Sequence, residues 1–321
     1  MTVILTALLL LSLSLYNGGC KREVSNNGST VVRVGLLQHA SSIPIIIAQE
    51  NGYFKKRGLQ VELKTVSPDQ QMPSLLRGDV DVISPSSFPV IFSTFQQNPG
   101  TIQCFLVGGE SKAGDTLYGI VVRKDSSFKT LGDLVGKTIG SASKFTTVNL
   151  RNVLRYKFHD ASASTTIREV TDKSLLLTGL ANGSIDAAVV DQPALSSKTI
   201  QDEFSVIEKN FRAEYLMEPY WSGAGVAKKD WRDRNADQYN AFLDSLDDAL
   251  AECAKNPSAA KMAFIRYFDL KDVSAEAIGM YVYPNARHVP PESFTKALMK
   301  MLVESQLLAS EFETTELFYR R

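Results

Sequence analysis

LLRGDVDV at residues 75–82 and GLANGSIDAA at residues 179–188 share one local design. In each, an apolar helical stretch stops at a Gly, and an Asp opens an apolar strand after one short turn. Aligning the copies sets Gly78 on Gly183 and Asp81 on Asp186, 105 residues apart, and the same spacing sets Gly35 on Gly140. Any βαβ step produces such a pattern once. Three coincidences at one spacing predict two similar α/β units in tandem, with a ligand cleft between them.

Working outward, VVRVGLL, IPIIIAQENG, LQVELKTV, QQMPSLLRG and DVDVIS alternate strand and helix from Val31, and KTIGS, FTTVNLRNVLRYKF, TTIREV, KSLLLTGLANG and IDAAVV repeat the order from Gly136. Two strand-like segments stand outside the copies, LYGIVVRKD at 117–125 and WSGAGVAKKDW at 221–231. They are read as the two crossings between lobes. Lobe one is expected to comprise 31–118 and 223–321, and lobe two 119–222. Ser222 to Gly225 holds two glycines, suited either to a hinge or to close strand packing. The last hundred residues show helical spacing, with Phe242, Leu246 and Leu250 on one face and Pro257 at a helix start. These helices are expected to pack on lobe one.

Composition narrows the function. The chain has 321 residues, 35 Lys plus Arg against 35 Asp plus Glu, and 44% hydrophobic residues. That is globular composition, and zero net charge removes the general attraction to nucleic acid. Residues 1–20 carry no charge and hold an apolar block of signal-peptide length, with Gly18 and Gly19 directly before Cys20. The order resembles a bacterial lipoprotein signal, although no Lys or Arg precedes the block and Asn17 replaces the usual aliphatic residue. Lipidation at Cys20 is expected, followed by a polar tether over 21–30. Cys104 and Cys253 are left as two buried thiols or one bridge.

The ordered set SIPIIIAQENGYFKKRGLQVEL, LLRGDVDV, LGDLVGKTIGS and LANGSIDAAVVDQP, behind a secretion signal, closely resembles the substrate-binding proteins of ABC importers. The resemblance runs over roughly residues 31–257, to the group that takes nitrate, sulfonates, taurine and bicarbonate. That group also includes proteins similar to thiamine-pyrimidine synthases. It implies a type II periplasmic-binding fold, capture of a small solute outside the cytoplasm by a monomer, and permease and ATPase subunits as partners.

In open α/β sheets the crevice lies at the carboxyl ends of the strands, where helix N-termini present free N–H groups. This selects Gln38, His39, Ser41, Ser42, Ser84, Ser86 and Ser87 in lobe one. In lobe two it selects Ser141, Ser143, Lys144, Phe145, Thr146, Thr147, Asp191 and Gln192, with Tyr220 and Trp221 at the return crossing. Each Ser or Thr has an equally good reading as a helix cap. The helix starts and Lys144 favour an oxyanion. Asp191 with Phe145, Tyr220 and Trp221 suits a planar, amine-bearing heterocycle instead.

No enzyme signature stands out. The three His are His39, His159 and His288, and neither HExxH, GxSxG nor a P-loop occurs. No metal or cofactor is expected. Enzymes of menaquinone and thiamine-pyrimidine synthesis share the implied fold, but an export signal argues against them.

Overall fold

The computed structural model describes residues 31–158, 164–170 and 172–318. The expected signal and tether over 1–30, Cys20 and His159 lie outside the described residues.

Two five-stranded sheets form the frame. The first has the order β2-β1-β3-β10-β4, from Val32–Leu36 (β1), Val61–Thr65 (β2), Val82–Ser87 (β3), Ile102–Val107 (β4) and Gly223–Lys228 (β10). The second has the order β7-β6-β8-β5-β9, from Tyr118–Arg123 (β5), Thr138–Ser141 (β6), Thr166–Glu169 (β7), Ala187–Asp191 (β8) and Phe204–Lys209 (β9). In both sheets the first three strands run parallel, and the fourth runs antiparallel to its two neighbours.

The repeat extends to individual hydrogen bonds. Arg33 N–H donates to Asp81 Oδ2 at 3.1 Å while Asp81 N–H donates to Arg33 O at 2.8 Å. In the second unit Thr138 N–H donates to Asp186 Oδ2 and Asp186 N–H to Thr138 O, both at 2.8 Å. The carboxylate thus satisfies a backbone donor at the start of the neighbouring strand, which is why an Asp recurs there. Gly78 and Gly183 hold φ of 84° and 78°, the left-handed helix end that the sequence predicts.

The spacing of 105 residues also carries β5 at Tyr118–Arg123 onto β10 at Gly223–Lys228. The last strand of each repeat therefore crosses into the other sheet, inserting between that sheet's third strand and its edge strand.

Helices cover both faces of the first sheet. On one face Ile43–Glu50 packs on Ala236–Lys255 and Pro257–Tyr267, with Phe54 stacked on Phe242 at 5.1 Å. On the other, Phe88 and Phe92 of Phe88–Gln97 meet Phe294 and Leu298 of Glu292–Glu304. Cys104 and Cys253 are free thiols in different clusters, and burial pushes the Cys253 thiol up to about 12.

The stretches between sheets pair with each other. Ser111 N–H donates to Tyr220 O at 3.1 Å and Tyr220 N–H to Ser111 O at 2.9 Å. A third tie was not expected. Asp272 O accepts from Lys198 N–H at 2.8 Å, Ala277 O accepts from Ser196 Oγ at 2.6 Å, and Tyr281 Oη donates to Tyr118 Oη at 2.8 Å. Residues 272–281 thus strap the helical extension of the first sheet to the second.

Candidate functional site

Between the sheets lies a cleft of about 760 Å³. From the first lobe it takes Gln38, His39 and Ser41 after β1, and Ser86 and Ser87 at the end of β3. From the second it takes Ser143, Lys144, Phe145 and Thr146 after β6, and Asp191 at the end of β8. Val66, Pro68, Val90, Leu176, Leu177 and Val189 supply apolar wall between these corners.

Seven expected residues do not line this cleft. Ser42 is buried and its hydroxyl donates to Leu37 O at 2.8 Å, folding the loop onto the sheet. Ser84 lies deeper in β3 than Ser86 and is buried. Ser141 Oγ donates to Ser143 O at 3.0 Å, closing the turn before the helix Lys144–Lys157. Tyr220 and Trp221 turn into the core, 5.7 and 4.8 Å from the Phe294 ring, because the helix Glu292–Glu304 brings an apolar surface against the return crossing. Thr147 is buried in the helix Lys144–Lys157, and in the turn after β8 Gln192 Nε2–H donates to Thr116 O at 2.6 Å.

The cleft corners are rigidly held. His39 Nδ1 accepts from Ser41 N–H at 3.3 Å, which places the hydrogen of the neutral ring on Nε2. The ring rests 5.8 Å from that of Tyr281 on the strap. Burial, and then the neighbouring Tyr118, hold the Tyr281 hydroxyl well above its ordinary value, so it stays protonated. In the second lobe Ser143 Oγ accepts from Thr146 N–H at 3.1 Å, a regular N-cap.

Sequence reading missed Arg212. It is 3% exposed, yet it lines the cleft. Its guanidinium lies 4.1 Å from the Tyr118 ring centroid and 5.1 Å from that of Phe145, and its Nη2–H donates to Thr146 Oγ1 at 2.8 Å. Its Nε–H is buried without a hydrogen-bond partner, and it forms no ion pair with a carboxylate among the described residues. A buried cation whose direct contacts are rings and a hydroxyl is costly, and an anion in the cleft offsets that cost. The signal for Arg212 existed: FSVIEK at 204–209 is a strand, and the rule for strand ends selects the residues just beyond it.

Among the described residues no group of three or more His, Cys, Asp or Glu could hold a metal ion, and no helix is long and apolar enough to cross a membrane.

Comparison with known proteins places these features in a family. A protein of Haemophilus influenzae named for thiamine biosynthesis is 27% identical over 230 residues, covering 70% of this chain and 68% of that one. The 4-amino-5-hydroxymethyl-2-methylpyrimidine phosphate synthase of Aspergillus parasiticus is 21% identical over 251 residues, 75% of this chain and 70% of the enzyme. The crystal structure of the periplasmic aliphatic sulphonate binding protein of Escherichia coli superposes with a TM-score of 0.69 at 14% identity, over 90% of this chain and 97% of that one. The fold is therefore that of the periplasmic binding proteins, as the sequence resemblance implies. With residues 39–260 matched by its description, the chain belongs to the NMT1/THI5-like family.

Proposed function

We propose that the protein captures a small organic oxyanion between its two lobes and delivers it, unchanged, to an ABC importer at the membrane. The observation that carries this reading is Arg212, a buried cation facing the cleft that is ion-paired to no carboxylate among the described residues. Hydroxyls of Ser86, Ser87, Ser143 and Thr146 surround the same space. Its volume and apolar walls suit an anion with a hydrocarbon body better than nitrate or bicarbonate. Periplasmic-fold neighbours such as the sulphonate binder support solute binding for import.

A second reading, a planar thiamine-pyrimidine type of heterocycle, is favoured by Asp191 in the cleft and by the thiamine-related names of the relatives. An enzyme on that pathway is the third, and release of an altered ligand, seen by mass spectrometry, would favour it. A thermal-shift panel of sulfonates, nitrate, bicarbonate and pyrimidines separates the first two, since a ligand at 100 times its Kd adds about 2.7 kcal/mol of stability. Sulfonates should raise Tm and pyrimidines should not. The best ligand should also shrink the radius of gyration in small-angle scattering as the lobes 31–118 plus 223–321 and 119–222 close. Stabilisation by pyrimidines alone refutes the anion reading.

We further propose that the lobes stand outside the cytoplasm on a lipid carried by Cys20, with 21–30 as tether. Fatty-acid labelling in cells is expected to be lost in Cys20→Ala. Labelling that persists removes the anchor.

A further inference from the structure

Polar side-chain atoms that are buried and lack partners are rare in folded proteins, and here several of them lie in the cleft lining or on residues beside it. Ser86 and Arg212 line the cleft from opposite lobes, each 3% exposed, and neither Ser86 Oγ nor Arg212 Nε has a hydrogen-bond partner. Tyr220 and Asn149, outside the cleft lining, are both 0% exposed, and neither Tyr220 Oη nor either amide atom of Asn149 makes a hydrogen bond of regular geometry. Arg212 and Tyr118 are electrostatic neighbours of the Tyr220 hydroxyl, and the Asn149 amide lies within reach to hydrogen-bond it. Phe145 both lines the cleft and packs against the hydrophobic cluster that holds Tyr220.

We propose that Ser86, Asn149, Arg212 and Tyr220 form an inner subsite that takes the head group of the anion, an XO3 group of the sulfonate kind, when Phe145 moves aside. The inference rests on the anion reading of the cleft and extends it to residues outside the cleft lining. Its chemistry comes from the donor inventory. Ser86 O–H, Arg212 Nε–H, Tyr220 O–H and the Asn149 amide N–H groups are all donors, and no carboxylate is among the four. Three oxygens sharing one negative charge accept from all of them, and the donors come from both lobes and from the crossing between them. A head group held there makes bonds that neither lobe makes alone, which favours the closed arrangement. The apolar walls nearer the mouth then receive the body of the ligand.

A purely structural role makes the opposite forecast, and one substitution separates the two. Tyr220→Phe keeps the ring on Phe294 and removes only the hydroxyl. Asn149→Leu does the same for the amide at similar volume. The full chain and both variants are melted without ligand and titrated calorimetrically with propane-1-sulfonate. Tyr220→Phe is expected to melt at or above the temperature of the unchanged protein and to bind the sulfonate at least tenfold more weakly, with Asn149→Leu weakened at least as much if it folds. Affinity for Tyr220→Phe within twofold of the unchanged protein overturns the subsite and leaves the anion reading standing. A lower melting temperature without ligand makes the hydroxyl a structural partner and also overturns it. No binding by the unchanged protein overturns the anion reading itself, and the subsite with it.

Discussion

Arg212→Met should yield a folded protein that no longer captures anions. The Met side chain keeps an apolar contact with the Tyr118 and Phe145 rings, so packing around the site changes little. What is lost is the charge. Removing one partner of a desolvated, hydrogen-bonded ion pair costs about 2–5 kcal/mol, so affinity should fall by roughly 100-fold or more. Stability without ligand should stay level or rise, because a buried cation with no carboxylate is a burden on the empty protein. Arg212→Lys should fall between, since an ammonium keeps the charge but not the planar fork that rests on Tyr118 and reaches Thr146. Calorimetric titration with an alkanesulfonate, beside urea melts, tests both halves. A Met variant that binds within threefold of the unchanged protein would remove Arg212 from the site.

Gly223→Ala should produce the largest loss of stability of any single methyl added to the chain's interior. A Cβ at Gly223 would stand 1.9 Å from Ser86 O and 2.8 Å from its carbonyl carbon, and both belong to the backbone of β3, which cannot rotate away. Gly108 N–H also donates to Gly223 O, pinning the residue from the other side. Overpacking typically costs 1–3 kcal/mol, and a clash with fixed backbone on a central strand belongs at about 3 kcal/mol or beyond. Gly114→Ala is the contrast: its φ is +83° but nothing lies within 4 Å, so about 1 kcal/mol is expected. Denaturation midpoints compare the two. Equal, small losses would dismiss the close-approach account.

Gly223 also shows how far sequence alone reaches. Two glycines beside the return crossing suit a hinge or tight strand packing, and only coordinates separate the two. The close packing is present, since Gly223 and Gly225 both face atoms too near for a side chain. The repeat was legible because its markers are local. A helix end wants Gly and the turn beyond it wants Asp, so Gly78, Gly183, Asp81 and Asp186 announce themselves. The cleft corners after β1, β3, β6 and β8 were legible for a similar reason, since strand ends can be read and the crevice rule does the rest.

What escaped depends on distant partners. Tyr220 and Trp221 read equally well as a ligand wall or as core until the helix Glu292–Glu304 is seen to pack on them. The 272–281 strap makes two of its ties through backbone carbonyls of Asp272 and Ala277, which carry no side-chain signature, and the third joins Tyr281 to Tyr118, 163 residues away. Arg212 follows a strand end that the crevice rule could have selected, but its burial beneath Thr146 and against Tyr118 is what marks it among the arginines.

The exchange of β5 and β10 between the sheets bears on how the chain folds. The second sheet draws all its strands from residues 118–209, a continuous stretch, so it can close as soon as that stretch exists. The first sheet cannot. Its strand between β3 and β4 is β10, which arrives only after the whole second unit has been made. Pairing β3 with β10 early would close a loop of more than a hundred residues, at an entropic cost that must be met before the new contacts repay it. Once the second unit is compact, that loop is no longer slack chain. Folding of the second unit therefore lowers the barrier for the first, and a break anywhere between β5 and β10 would leave β1 to β4 waiting for a strand held on another piece.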